Sequence, residues 1–338
     1  MSNSEVYQGI RNTIAQIVSH GRMAGVSSNS LDRYYELVRL YDTACRKSED
    51  GCLFAVYGSP KMGKSTLFNS LMKEQVLPCR PIPTTGSIID LKKDAERTNY
   101  EVVCERQGVH VYNHFESPER VCEFLDKYAT QHSPCDSVLV TGPFPNAVSF
   151  VSHNCTLRDT PGAEAMVGET ERVVDERLQL DSEKALQSLK DPCIPLFCVS
   201  AQTIGQKQDR DFYEKFFKNR CCLHVLTHID AVSTDMNCQD VLDVTDDFRK
   251  NFNIFPGDDN PNPVVCTGIT GVPDGATMVN VGFDDLVREM ENYISTDKLG
   301  EMLCNVARHI LDHPVDWDLG GQKGILFAQI RDRLAQLR

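Results

Sequence analysis

The chain has 338 residues, a formal net charge of −13 and a mean hydropathy of −0.32. Hydrophobic residues make up 41%, which suffices for a buried core and excludes a disordered or repetitive chain. The acidic balance argues against nucleic-acid binding, and no apolar run reaches the roughly 18 residues of a membrane-spanning helix.

The cysteines and the first residues of the chain indicate the cellular compartment in which the protein is expected. The 14 cysteines show no CxxC spacing, and most stand inside apolar runs. We therefore expect buried, reduced thiols rather than disulfides or zinc ligands. The opening residues, MSNSEVYQGIRNT, lack the basic and apolar regions of a secretory signal, so we expect a cytoplasmic protein.

The first fifty residues have the apolar spacing of helices, at 6–18 and again from residue 31. The pattern then changes to a continuous apolar run, CLFAVY, at 52–57. Such a run predicts a short strand buried on both faces of a sheet.

The rest of the chain alternates short apolar runs with helical patterns. Strands are predicted at 100–104 and 109–112, forming a hairpin, and at 137–140, 148–151, 156–157, 194–200, 223–227 and 263–267. Helices are predicted at 118–128, 169–189, 209–218, 241–251, 283–294, 299–310 and 324–338. This alternation predicts an α/β fold with a mostly parallel sheet flanked by helices.

Residues 58–65, GSPKMGKS, match the pattern GxxxxGK[ST] and are called the phosphate loop below. An apolar strand precedes the loop and a helical pattern follows, so its backbone N–H groups would point at a phosphate. We expect Lys64 to contact the β- and γ-phosphates and Ser65 to bind Mg²⁺; the alternative is a chance glycine loop. The residues assigned to nucleotide contact here are Gly58, Ser59, Pro60, Lys61, Met62, Gly63, Lys64, Ser65 and Thr66.

Two later segments complete a predicted Mg²⁺ and γ-phosphate site. In Asp159-Thr-Pro-Gly162, the carboxylate would reach Mg²⁺ through water and the Gly162 N–H would contact the γ-phosphate. In Pro83-Thr-Thr85, a threonine hydroxyl would complete the Mg²⁺ coordination.

The segment Thr227-His-Ile-Asp230 ends a predicted strand and is a candidate reader of the base. A carboxylate at Asp230 can accept from both N1–H and N2–H₂ of guanine, and adenine lacks this pair of donors. Thr227, His228 and Asp230 are therefore assigned to guanine nucleotide, GTP or GDP. The alternative is that Asp230 caps a helix.

Together these motifs resemble the dynamin superfamily of large GTPases, particularly its bacterial dynamin-like branch. The resemblance is carried by GSPKMGKSTLFNSL from residue 58, by VLPCRPIPTT ending at Thr85, and by the two segments above. The spacing from Lys64 favours Thr85 over Thr84 as the switch threonine. The flanking helices resemble the family's neck bundle, which implies a helical segment at 1–48, a GTPase domain at 49–296 and a second helical segment at 297–338.

The resemblance implies hydrolysis of GTP with Mg²⁺, using Lys64, Thr85, Lys61 and Gly162 as catalytic groups. It also implies pairing across the nucleotide face, with a second copy or a related dynamin-like partner, and peripheral contact with a membrane. Lys61 stands where some branches carry an arginine finger, although a solvated surface lysine is an equal alternative.

Two departures from the family pattern leave other functions open. His228 replaces the usual lysine that stacks on the base, and Pro60 replaces a polar residue of the loop. These changes favour a nucleotide-binding scaffold with slow or no hydrolysis. A third alternative is an ATP-dependent P-loop enzyme, against which Asp230 argues.

Overall fold

The computed structural model describes most of the chain. The residues described are 2–27, 29–50, 52–79, 86–129, 135–151, 155–162, 184–185, 187–189, 193–218, 220, 222–252, 264–270 and 279–337.

A nine-stranded sheet forms the centre of the described structure, in the order β4-β3-β5-β2-β6-β1-β7-β8-β9. Its strands are β1 (Cys52–Tyr57), β2 (Ile88–Lys93), β3 (Tyr100–Arg106), β4 (Val109–Phe115), β5 (Ser137–Gly142), β6 (Cys155–Asp159), β7 (Ile194–Ser200), β8 (Leu223–Thr227) and β9 (Val264–Cys266). A small antiparallel pair, β10 (Gly268–Thr270) and β11 (Val279–Val281), lies beside it.

The sheet is mostly parallel, as the sequence predicts. Its pairings are parallel from β6 through β1, β7 and β8 to β9, and also between β2 and β5. The pairings of β2 with β6, β3 with β4 and β3 with β5 are antiparallel. The central strands β7 and β8 are buried along their whole length, which explains why their sequences are mostly apolar.

Helices flank the sheet. They are α1 (Asn3–Met23), α2 (Asn29–Asp50), α3 (Lys64–Met72), α4 (Pro118–Tyr128), α5 (Lys207–Phe216), α6 (Gln239–Asn251), α7 (Phe283–Tyr293), α8 (Thr296–Asp312) and α9 (Lys323–Leu334). The predicted α/β class with flanking helices is confirmed. No helix within the described ranges is long and apolar enough to cross a membrane.

The first and last helices of the chain pack into one bundle. The indole Nε1 of Trp317 donates to the carbonyl of Ile17 at 3.3 Å, which ties the segment after α8 to α1. Helices α8 and α1 approach so closely that a Cβ on Gly300 would lie 2.2 Å from the ring of Tyr7. The C-terminal helices therefore pack on the N-terminal ones.

The structure differs from the predicted elements at several places. The small strands β10 and β11 were not predicted. The strand β2 was not predicted, and the predicted strand at 148–151 is a turn. In that turn the Val148 N–H donates to the Leu71 carbonyl at 2.9 Å, so its apolar side chains are buried against α3 without entering the sheet. Most of the helix predicted at 169–189 lies outside the described residues.

The described cysteines are mostly buried, as the apolar runs around them predict. Of the twelve cysteines whose side chains the structure describes, eight are buried.

Candidate functional site

The phosphate loop connects β1 to α3 and takes a backbone path that few residues allow. Gly58 has φ +145°, and a Cβ there would lie 2.3 Å from the carbonyl oxygen of Cys198 in β7. Lys61 and Gly63 also have positive φ, at 66° and 76°. The loop thus curls tightly before α3 begins at Lys64, with glycine where the neighbouring strand comes closest.

Lys64 is buried and Lys61 is exposed, although only two residues separate them. The Lys64 ammonium group donates to the carbonyl oxygens of Gly58 at 3.0 Å and Ser59 at 2.9 Å. Its charge therefore lies inside the curl of the loop, beside the N-terminus of α3. Both the charge and the helix end favour an anion at this position.

Two side chains whose oxygen atoms could bind a metal ion meet at the start of α3. Ser65 Oγ donates to Oδ2 of Asp159 at 2.6 Å, and Asp159 is fully buried at the end of β6. A hydroxyl and a carboxylate at this separation fit a hard divalent cation such as Mg²⁺, which prefers oxygen ligands. Thr84 and Thr85, the other predicted ligand positions, lie outside the described residues.

The segment that begins at Asp159 packs directly on the phosphate loop. The Thr160 hydroxyl donates to the carbonyl of Val56 in β1 at 2.6 Å. A Cβ on Gly162 would lie 2.5 Å from Cγ of Pro60. Only glycine fits at position 162 while Pro60 keeps this position. The backbone of Gly162, which is predicted to contact the γ-phosphate, therefore lies directly against the phosphate loop.

The predicted base-reading segment is also attached to the phosphate loop. The Thr227 hydroxyl donates to the Met62 carbonyl at 2.9 Å, and the His228 ring lies beside Gly63. Burial lowers the pKa of His228, and the nearby Asp230 carboxylate opposes the shift, so the imidazole is neutral at pH 7.

Asp230 lies within the short helical turn Ile229–Ala231, which no side chain caps. Its Oδ1 is buried, and no donor in the described part of the chain reaches it. A Cβ on Gly268 would lie 2.6 Å from the same oxygen, so glycine is needed where β10 begins. A buried carboxylate oxygen without a donor is costly and suits a ligand that supplies N–H groups.

Asp209 is a site residue that the sequence analysis missed. It lies in the first turn of α5. The sequence pattern identifies residue 209 only as the first residue of a predicted helix. The Ser59 hydroxyl donates to its Oδ1, and no donor among the described residues reaches its buried Oδ2. Burial raises the pKa of Asp209, against the Ser59 hydrogen bond and the Lys64 charge.

Asn69 in α3 fixes the path of the chain toward the predicted switch threonine. Its side-chain Oδ1 accepts from the N–H groups of Val76 at 3.1 Å and Leu77 at 2.8 Å. Its Nδ2 donates to the Leu77 carbonyl at 2.9 Å. A single buried amide thus satisfies three backbone groups of the segment that leads to residues 80–85.

The fold and the site define a P-loop nucleotide-binding protein. The model of the dynamin family matches residues 54–226, which is just over half of the chain and includes the phosphate loop and Asp159. The chain therefore belongs to the dynamin family. A search of curated proteins returned no significant match.

Solved structures are similar to this chain at low sequence identity. Two are of an oligomerised bacterial dynamin pair described as a mechanism for long-range sensing and tethering of membranes. One is 13% identical over 98% of this chain and 47% of its own, with a TM-score of 0.50. The other is 12% identical over 99% and 57%, with a TM-score of 0.47. Era of Aquifex aeolicus bound to GDP·AlF4⁻ is 18% identical over 72% and 56%, with a TM-score of 0.39.

The chain spans about half the length of the bacterial dynamin structures that it matches.

Proposed function

We propose that this chain binds guanine nucleotide with Mg²⁺ and hydrolyses GTP to GDP and phosphate. The observation that carries the proposal is the 2.6 Å hydrogen bond from Ser65 to Asp159, made beside the buried Lys64. A cation, a hydroxyl and a carboxylate thus stand together at the N-terminus of a helix. A nucleoside triphosphate with its divalent cation needs these groups in this arrangement.

The phosphate groups would be bound by the loop backbone and by Lys64. The ammonium group of Lys64 would donate to the β- and γ-phosphate oxygens in place of the carbonyls of Gly58 and Ser59. The N–H groups at the start of α3 add a partial positive charge. The backbone of Thr85 and the N–H of Gly162 would position the attacking water.

The residues present fit a Mg²⁺ ion. Ser65 and Thr85 would bind it through their hydroxyls, and Asp159 would hold it through a water molecule. When bound, Mg²⁺ neutralises the charge that the reaction develops on the phosphate oxygens.

The base would be read by Asp230, with Thr227 and His228 beside it. The buried Oδ1 of Asp230 has no donor within the described ranges, and guanine would supply the N–H groups that satisfy it. Adenine presents no such pair of donors, so we expect strong discrimination in favour of GTP. The neutral ring of His228 would contact the base where the family pattern has a lysine stem.

Assembly and location extend the proposal. We place the chain in the bacterial dynamin-like branch, with helical segments at 1–48 and 297–338 around a GTPase domain at 49–296. Pairing would occur across the nucleotide face, with a second copy or a related dynamin-like partner. The protein would be cytoplasmic with peripheral contact to a membrane, and Lys61, exposed on the phosphate loop, would stabilise the transition state once water is expelled.

Single-turnover hydrolysis of GTP at low and high protein concentration tests the proposal, with ATP as competitor. We expect hydrolysis that rises with protein concentration, little competition by ATP, and loss of nucleotide binding in a folded Lys64→Ala variant. Tight GTP binding without turnover at any concentration would instead identify a nucleotide-binding scaffold. Equal competition by ATP would remove the guanine assignment.

A further inference from the structure

Strand β4 lies at one edge of the sheet. This strand, VHVYNHF, ends the sheet, and no strand in the described part of the chain pairs with its outer side. Val109, Val111 and Tyr112 are 62%, 52% and 63% exposed. A strand in this position presents a row of backbone donors and acceptors to solvent.

The hairpin geometry identifies which backbone groups of β4 face outward. Gln107 and Gly108 form a two-residue turn with φ of 50° and 77°, as in a type I′ hairpin. Arg106 and Val109, which flank the turn, therefore form a hydrogen-bonded pair, and such pairs alternate along the ladder. The outward N–H and C=O groups accordingly belong to the alternate residues, His110, Tyr112 and His114.

The strand carries none of the features that protect exposed edges. Proteins usually place lysine, proline, a bulge or another charged residue on such a strand. Residues 109–115 contain no Asp, Glu, Lys, Arg or Pro, in a chain whose net charge is −13. The strand itself therefore adds no like-charge repulsion between two copies of this acidic chain.

We propose that β4 pairs antiparallel with β4 of a second copy, about a twofold axis at Tyr112. In this register Tyr112 faces Tyr112, and His110 faces His114 of the second copy. The three outward-facing residues of one strand thus meet the three of the other. Every outward N–H and C=O of both strands finds a partner, which a one-residue shift of register would prevent.

The side chains on the open face of the sheet complement this register. Tyr112 lies opposite Val103 in β3, and Val103 lies opposite Leu139 in β5. Pairing joins this apolar row to the same row of the second copy. On the neighbouring rows, His110 lies opposite Glu105 and His114 opposite Glu101, so each histidine pair would stand between two carboxylates.

The proposed edge is remote from the nucleotide site. Five strand spacings separate β4 from β1, which is about 24 Å across the sheet. The pair should therefore form without nucleotide and also in the Lys64→Ala variant, which separates it from pairing across the nucleotide face. Because one seven-residue strand is a small interface, we expect a reversible dimer.

Sedimentation velocity without nucleotide tests the pairing over a range from low micromolar to several hundred micromolar protein. We expect a monomer–dimer equilibrium for the parent and a monomer for Tyr112→Lys, which places two ammonium groups at the twofold axis. Ile325→Lys is the matched control, because Ile325 in α9 is 62% exposed; this variant should dimerise like the parent. A monomeric parent, or equal dimerisation of Tyr112→Lys and the parent, overturns the proposal.

Cysteine cross-linking tests the register independently. In the proposed pair, the Cα atoms of the two Tyr112 residues lie about 5.5 Å apart, within reach of a disulfide. Tyr112→Cys should form a disulfide-linked dimer when a mild oxidant such as diamide takes up the two thiol electrons. Val111→Cys should not, because Val111 faces Asn113 of the second copy, and the parent controls for native thiols. Equal cross-linking of the two variants overturns the register.

Discussion

At the scale of single residues, the phosphate loop is held by polar groups that come from distant parts of the chain. Asp209 accepts from Ser59 across a separation of 150 residues, and Thr227 donates to Met62 across 165. Each contact fixes a loop backbone that several positive φ angles would otherwise leave strained. The loop conformation is therefore a property of the whole domain rather than of residues 58–65.

The buried carboxyl group of Asp209 makes stability depend on pH. Burial raises its pKa above the ordinary 3.8, so the folded state binds a proton more readily than the unfolded state. Its contribution to stability is therefore complete at acid pH and is lost as the pH rises above 3.8 through the raised value. We expect the urea midpoint of Asp209→Asn, relative to that of the parent, to rise from acid to neutral pH, with exposed Asp316→Asn as the control. A pH-independent difference would contradict the assignment.

Asp230 determines the preferred base in the proposed site. Asp230→Asn offers an amide donor, which suits the 2-oxo group of xanthine and not the 2-amino group of guanine. We expect GTP affinity to fall at least tenfold and xanthosine triphosphate affinity to rise, measured by competition against a fluorescent nucleotide. Asp235→Asn, an exposed position in the following loop, should bind as the parent does. Unchanged GTP binding by Asp230→Asn would exclude this residue as the base reader.

At the scale of elements, the sequence predicts best the strands that are buried on both faces. Strands β1, β7 and β8 have mostly apolar sequences and were predicted at their observed bounds. Strand β2, IIDLKK, was missed because it mixes charged residues with a short apolar run. Its Asp90 forms an ion pair with Arg158 of β6 at 2.7 Å, a partner that local sequence does not reveal.

The residues of the site also fall into two groups: those that a short sequence motif identifies, and those that only contacts between distant parts of the chain identify. Lys64, Ser65 and Asp159 stand in short motifs whose residues are neighbours in the chain, and the structure brings them together. Asp209 and Gly268 carry no motif, because their contacts arise only when the ends of different strands meet at one edge of the sheet. Such contacts need the topology as well as the sequence.

The close packing of α8 on α1 depends on one glycine. Gly300→Ala would place a Cβ 2.2 Å from the buried ring of Tyr7, and overpacking of this kind costs about 1–3 kcal/mol. Gly324→Ala is the matched control, because nothing lies within 4 Å of the added Cβ in α9. That change should stabilise the protein by about 0.4–1 kcal/mol. Urea denaturation measures both variants, and stabilisation by Gly300→Ala would contradict the packing.

At the scale of the whole molecule, the proposed transition-state role of Lys61 appears only on pairing across the nucleotide face. An arginine finger contributes about 10³–10⁵ in rate in other GTPases, and a lysine should contribute less because it lacks the planar fork. We expect Lys61→Ala to keep GTP affinity within a few-fold and to lose the concentration-dependent part of turnover, which Lys61→Arg should retain.

Lys73→Ala is the control for the Lys61 series, because Lys73 is also exposed and also has a positive φ, 53°. Specific activity is measured against protein concentration for the parent and the three variants. If the Lys61→Ala curve runs parallel to those of the parent and Lys73→Ala, Lys61 is a solvated surface residue.

The position of β4 at the end of the sheet also determines how far apart the phosphate loops of two edge-paired copies lie. From β1 of one copy to β1 of an edge-paired copy there are eleven strand spacings, or about 53 Å. An edge pair therefore keeps its two phosphate loops too far apart to face each other, and each loop stays available to a further copy. Two different twofold interfaces on one chain close into a dihedral assembly when their axes intersect at a suitable angle, and otherwise alternating them builds an open filament.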